Sequence, residues 1–112
     1  MNFIVHENKW PWGYTMDVIS SRVEACVKLS FENDNPGVCF LSGLSVLPQH
    51  RRKGFATNLL DVCEQLCLER GIFRIDLNSV LTDYVQAFYE KWGFSTIKEE
   101  NGLIQMYKII KK

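Results

Sequence analysis

Between Pro48 and Thr57 the chain reads Pro-Gln-His-Arg-Arg-Lys-Gly-Phe-Ala-Thr, three cations followed by two small residues one position apart. The first N–H groups of a helix lack intrahelical partners and sit at the positive end of its dipole, so a small-residue loop entering a helix is an anion cradle. Gly54 and Ala56 keep side chains away from such a guest, and Arg51, Arg52 and Lys53 add charge. A diphosphate is the natural occupant. The plainer readings of the same residues are a solvated basic turn and a short nucleic-acid or nuclear-import patch. Cys63 and Cys67 stand at i and i+4, on one helical face, and His6 or His50 would be needed to complete a metal site with them. They fall among Leu59, Leu60, Val62 and Leu66, where a free cysteine behaves as a small hydrophobe, so the reading is core packing and no metal.

The elements that must position this loop follow from hydrophobic period and turn chemistry. Asn2 to His6 reads as a short strand and Glu7 to Gly13, with Pro11 and Gly13, as a loop. Tyr14–Ile19 and Arg22–Phe31 read as a hairpin turning at Ser20-Ser21. Val38–Leu47 is a nearly continuous apolar run, suited to a strand covered on both faces, with Gly43 marking a bulge or close approach. From Gly54 to Arg70 the period becomes helical, and Gly71 closes the helix. Ile72–Asn78 reads as a strand, which makes strand, helix, strand a right-handed parallel crossover. Thr82 and Asp83 cap a second helix that carries Val85, Phe88, Tyr89 and Trp92 on one stripe and ends at Gly93. By this pattern alone Tyr89 is a core aromatic. Phe94–Glu99 and Leu103–Ile110 flank Asn101-Gly102, a strong hairpin signal.

One domain accounts for 112 residues without repeat or linker. Thirteen cations balance thirteen anions, which excludes a general nucleic-acid or anionic-membrane binder and makes any basic function local. There is no run of uncharged apolar residues long enough for a membrane span and no apolar signal region behind Met1, so the expected location is cytoplasmic. Four cysteines without a CxxC pair or a secretory signal are expected to be free thiols.

Three segments in order resemble the GCN5-related N-acetyltransferases, the GNAT superfamily. Arg51-Arg52-Lys53-Gly54-Phe55-Ala56 is similar to that family's acetyl-CoA signature, Leu44-Ser45-Val46-Leu47-Pro48 looks like the strand before it, and Ala87 to Phe94 looks like its Tyr-x-x-x-Gly-Phe helix end. The resemblance covers about residues 38 to 110. It implies a mixed, mostly antiparallel α/β sheet whose central parallel strands, Val38–Leu47 and Ile72–Asn78, splay apart to admit acetyl-CoA. It further implies that Leu44, Ser45 and Val46 pair with the pantetheine arm, and that Arg51 through Thr57 (Arg51, Arg52, Lys53, Gly54, Phe55, Ala56, Thr57) hold the pyrophosphate. Thr82 stands where many members carry a cofactor-contacting Asn. Tyr89 is the implied general acid toward the departing thiolate, a phenol with an ordinary pKa near 10. An amine must lose a proton to attack, and Asp76, on the strand beside the splay, is the candidate base, with Glu24 or a water relay as substitutes.

The activity so implied is transfer of acetyl from acetyl-CoA to a primary amine in a ternary complex, without a covalent enzyme intermediate. Transfer of a longer acyl group is the rival within the enzyme class, and an acyl-CoA-binding or interaction module without catalysis is the rival outside it. Family members usually place two helices between their first two strands as a wall of the acceptor site, where this chain has only Glu7 to Gly13. The expected replacements are the Trp10-Pro11-Trp12 loop folded back over the cleft, or a second copy of the chain in a homodimer.

Overall fold

The computed structural model describes residues 2–50, 54–80 and 82–111. Among these residues seven strands form one sheet: β1 (Phe3–Trp10), β2 (Gly13–Ser20), β3 (Ala25–Glu32), β4 (Val38–Val46), β5 (Arg74–Val80), β6 (Ser95–Glu100) and β7 (Leu103–Ile109). Their spatial order is β1-β2-β3-β4-β5-β7-β6, and only β4 and β5 run parallel. Helix α1 (Phe55–Glu69) crosses over from β4 to β5, and α2 (Asp83–Lys91) joins β5 to β6.

Strand alternation sends Met16, Val18, Leu29, Leu41, Leu77, Ile104 and Met106 to one face, where they are buried with Leu59, Cys63 and Cys67 of α1 and Tyr89 of α2. Lys108 projects from the same face, with its Nζ 3.4 Å from Glu64 of α1 and 5.2 Å from the Trp92 ring that follows α2. Both helices therefore lie on one side. The other side of the sheet carries Asp17, Lys28, Phe40, Arg74, Asp76 and Tyr107, and among the described residues no helix lies upon it.

Local chemistry explains most boundaries. Thr82 caps α2, its hydroxyl accepting from the Val85 amide at 3.2 Å. Asn101 and Gly102 both take the positive φ (53° and 77°) that a tight β6–β7 turn needs. At Gly43, with φ 64°, β4 holds one residue more than β3: Cys26 pairs with Ser45 and Lys28 with Ser42. That bulge reverses the alternation. Before it Cys39 and Leu41 face the helices, and after it Leu44 and Val46 do.

Three expectations need correction. The run Val38–Leu47 looks uniformly apolar because the bulge changes which residues face inward, not because both faces are covered. Glu7–Gly13 is not a loop: β1 pairs with β2 from Phe3↔Ser20 to Trp10↔Gly13, leaving only Pro11 and Trp12 in the turn. Continuous pairing overrides the polar character of Glu7, Asn8 and Lys9. Nor does the Trp10-Pro11-Trp12 turn cover the cleft. It stands at the sheet end shared with Glu32 and the start of β4, whereas β4 leaves the sheet at the opposite end, where Val46 pairs with Ala25.

Candidate active site

Pairing between β4 and β5 runs only from Val38↔Arg74 to Leu41↔Leu77. Beyond Leu41 the two strands part, and β4 continues to Val46 alongside the gap. The bulge at Gly43 supplies the bend, since an extra residue turns a strand out of its ladder. The gap opens into a cleft of about 1090 Å³, of a size with large ligand sites.

Two chemically distinct groups line the cleft. The first is the start of α1, which follows the turn Pro48–His50 and has Gly54 at its N-cap in left-handed backbone (φ 82°) and no side-chain cap. The first intrahelical bond is donated by Asn58 to the Gly54 carbonyl at 3.0 Å, so the amides of Phe55, Ala56 and Thr57 precede the helical ladder. A Cβ built on Gly54 would project into open space, with Asn58 Nδ2 its nearest neighbour at 3.9 Å. The glycine thus does two jobs, permitting the positive φ and leaving the cradle empty of side chain. His50 lies edge-on to the Phe55 ring at 5.4 Å.

The second is Tyr89, 6% exposed, its ring edge-on to Phe88 at 5.3 Å and Phe94 at 5.6 Å. Burial among these rings pushes its phenol up to about 12, because the phenolate loses hydration there. Its hydroxyl has no hydrogen-bond partner among the described residues. Tyr89 is therefore a neutral donor throughout the physiological range.

Of the residues singled out in the sequence, Leu44, Ser45, Val46, Gly54, Phe55, Ala56, Thr57 and Tyr89 line this one cleft. Arg51, Arg52 and Lys53 lie outside the described residues. Thr82 does not line the cleft, and its hydroxyl is engaged in capping α2. Asp76 does not line it either. It sits on the helix-free face at the next-to-last β4–β5 rung, opposite Phe40, and its Oδ1 accepts from Arg74 Nε at 2.5 Å, with the Arg74 guanidinium over the Tyr107 ring. Glu24 is buried at the β2–β3 turn with Oε1 unpartnered, and is also absent from the lining.

Sequence reasoning missed His50, Ser79, Val85, Phe88, Lys91 and Trp92 as cleft residues. Val85, Phe88 and Trp92 were legible as one stripe with Tyr89, and only their destination was not. Ser79 and Lys91 arrive through the packing of β5 and α2, which no local pattern announces. Lys91 brings a cation to the cleft. Cys63 and Cys67 are fully buried, and Cys39 and Cys67 lie thiol to thiol; the hydrogen bond with Cys67 and then burial push the Cys39 thiol up, and burial and then the nearby Cys67 push the Cys63 thiol up. Among the described residues no group of three or more His, Cys, Asp or Glu side chains converges as a metal site would require.

The fold recurs in solved structures. The PaiA N-acetyltransferase of Thermoplasma acidophilum, solved with coenzyme A, superposes with a TM-score of 0.73 at 18% identity, over 85% of this chain and 59% of its own. Two matches are near full length on both sides. A putative acyl-CoA N-acyltransferase of Klebsiella pneumoniae gives TM-score 0.74 at 13% identity, covering 96% of this chain and 97% of that one. A Bacillus subtilis acetyltransferase in complex with CoA gives 0.71 at 12%, covering 96% and 99%. No curated protein matches by sequence. The sequence itself fits the acetyltransferase (GNAT) family over residues 6–94, a span holding the bulged β4, the α1 cradle, the parted strands and Tyr89. Sequence and architecture agree, and the chain belongs to the GNAT acetyltransferase family.

Proposed function

We propose that the protein transfers acetyl from acetyl-CoA to a primary amine by direct attack within a ternary complex. The observation that carries this reading is the cleft itself, lined both by helix-start amides and by a neutral, buried phenol. A diphosphate would accept from the amides of Phe55, Ala56 and Thr57, and Lys91 adds positive charge elsewhere in the lining. The edge of β4 at Leu44 and Ser45 offers main-chain groups to the amide-bearing arm. This route would place the thioester near Tyr89.

The amine lone pair attacks the thioester carbonyl carbon, the C–S bond breaks, and the Tyr89 hydroxyl donates its proton to the leaving sulfur. The amine proton leaves on the acceptor's side. Asp76 is proposed to receive it through water from the helix-free face, next to the rungs where the strands part. Its pairing with Arg74 fixes the carboxylate's position. Cofactor contact by Thr82 is proposed only through its main chain, because its hydroxyl is committed to the cap. Among the described residues no helix is long and apolar enough to cross a membrane, and the acceptor is proposed to arrive from solution in the cytoplasm.

The test is acetyl-CoA turnover against a panel of small amines, peptides and proteins, with products identified by mass. Amide formation in proportion to CoA release supports the reading. Saturable binding without turnover on any amine makes the protein an acyl-CoA-binding module instead.

A further inference from the structure

The two edges of the sheet are built differently. β6 is six residues long, carries a bulge between Thr96 and Lys98, and presents Lys98, Glu99 and Glu100 in succession, devices that discourage strand addition. β1 is eight residues long, pairs with β2 without a bulge, contains no proline and is exposed at seven of its positions, including Ile4 and Val5. A long, regular, uncovered edge is a template for another strand.

Its hydrogen-bonding phase can be read. The Asn2 carbonyl accepts from Ser21, and Trp10 and Gly13 close the two-residue turn, so Asn2, Ile4, His6, Asn8 and Trp10 are the residues bonded to β2. The backbone N–H and C=O groups of Phe3, Val5, Glu7 and Lys9 point out of the sheet. We propose that β1 pairs antiparallel with β1 of a second copy across a two-fold axis normal to the sheet, Phe3 opposite Lys9 and Val5 opposite Glu7. This register engages all four outward residues of each copy and sets no like charges directly opposite. The neighbouring register that centres on Glu7 opposes two carboxylates and engages only three, and the one that centres on Val5 also engages three.

Several consequences follow. His6 faces His6 of the second copy at the axis, in a close non-hydrogen-bonded pair. Rotation about the sheet normal keeps faces together, so all helices stay on one side and the two helix-free faces become one continuous surface. Trp10, half exposed on that face and bonded through Nε1 to Thr15, lies near the junction. The proposal rests on the sheet alone and stands whether or not the protein acetylates.

Sedimentation equilibrium of the full chain at tens of micromolar tests it first: an apparent mass of twice 13.0 kDa is expected, and a monomer overturns the proposal. Val5→Pro removes an outward amide and none that bonds β2, so the variant should fold and sediment as a monomer; a folded dimer overturns the interface. Should that variant not fold, cysteine pairing decides. Oxidised His6→Cys should run as a covalent dimer and Val5→Cys, which faces Glu7 of the other copy, should not. Crosslinking equal to wild type in both overturns the register.

Discussion

Removing the Tyr89 hydroxyl while keeping its ring separates chemistry from packing. The ring is 6% exposed and wedged between Phe88 and Phe94, and Tyr89→Phe preserves all of that contact. The hydroxyl has no partner among the described residues, so its loss leaves no orphaned group and the melting temperature should move by no more than about 2 °C. Turnover should fall by roughly 10²- to 10⁴-fold, the usual contribution of a positioned general acid, with the KM for acetyl-CoA nearly unchanged. The pH profile adds a second reading. With the phenol pushed up to about 12 by burial, about 3% of it is ionised at pH 10.5, against roughly three quarters for a phenol at its ordinary value. Wild-type kcat should therefore show no alkaline decline below about pH 10.5 attributable to this acid. Linkage has a matching sign. A raised phenol contributes fully below pH 10, and its contribution is lost as pH rises from about 10 to 12, so Tyr89→Phe should lose less stability than wild type across that window. Stopped assays of thiol release across pH, beside thermal melts, measure both. Full turnover in the variant, or an alkaline limb centred near pH 10 that the variant lacks, would refute the assignment.

Other outcomes follow from the same geometry. Gly54→Ala should weaken CoA binding in calorimetry and cost about 1 kcal/mol of stability for its positive φ, and Gly54→Val should abolish binding, whereas unchanged affinity in both removes the cradle. Thr82→Ala should lower stability by about 1 kcal/mol through loss of the α2 cap while leaving the KM for acetyl-CoA within about twofold, and a large KM effect would give the hydroxyl a cofactor role. Asp76→Asn should reduce kcat most at low pH if the carboxylate takes the amine proton, and an unaltered pH profile assigns it to the Arg74 pair alone.

The sequence disclosed what is written locally. The α2 cap at Thr82, the Asn101-Gly102 turn and the bulge at Gly43 each depend on one or two residues whose conformational needs are specific. The start of α1 after Gly54 was legible for the same reason, as a small residue at the head of a helical period. What needed long-range pairing was not. Glu7, Asn8 and Lys9 become strand only because β2 offers eight consecutive partners. The tryptophan turn lies at the far end from the cleft because strand register carries it there, which no local pattern announces. Asp76 was rightly put on β5, but its face follows from alternation about Ile75 and Leu77, both buried under the helices. Lys91 and Ser79 reach the cleft only through tertiary packing.

The most direct measurement is a calorimetric titration of acetyl-CoA into wild type, Tyr89→Phe and Gly54→Val. Saturable one-to-one binding to wild type and Tyr89→Phe, lost in a Gly54→Val variant that still melts cooperatively, is the predicted result. Absence of binding to wild type, or equal affinity in all three, would contradict the assignment of the cleft between β4 and β5 to acetyl-CoA.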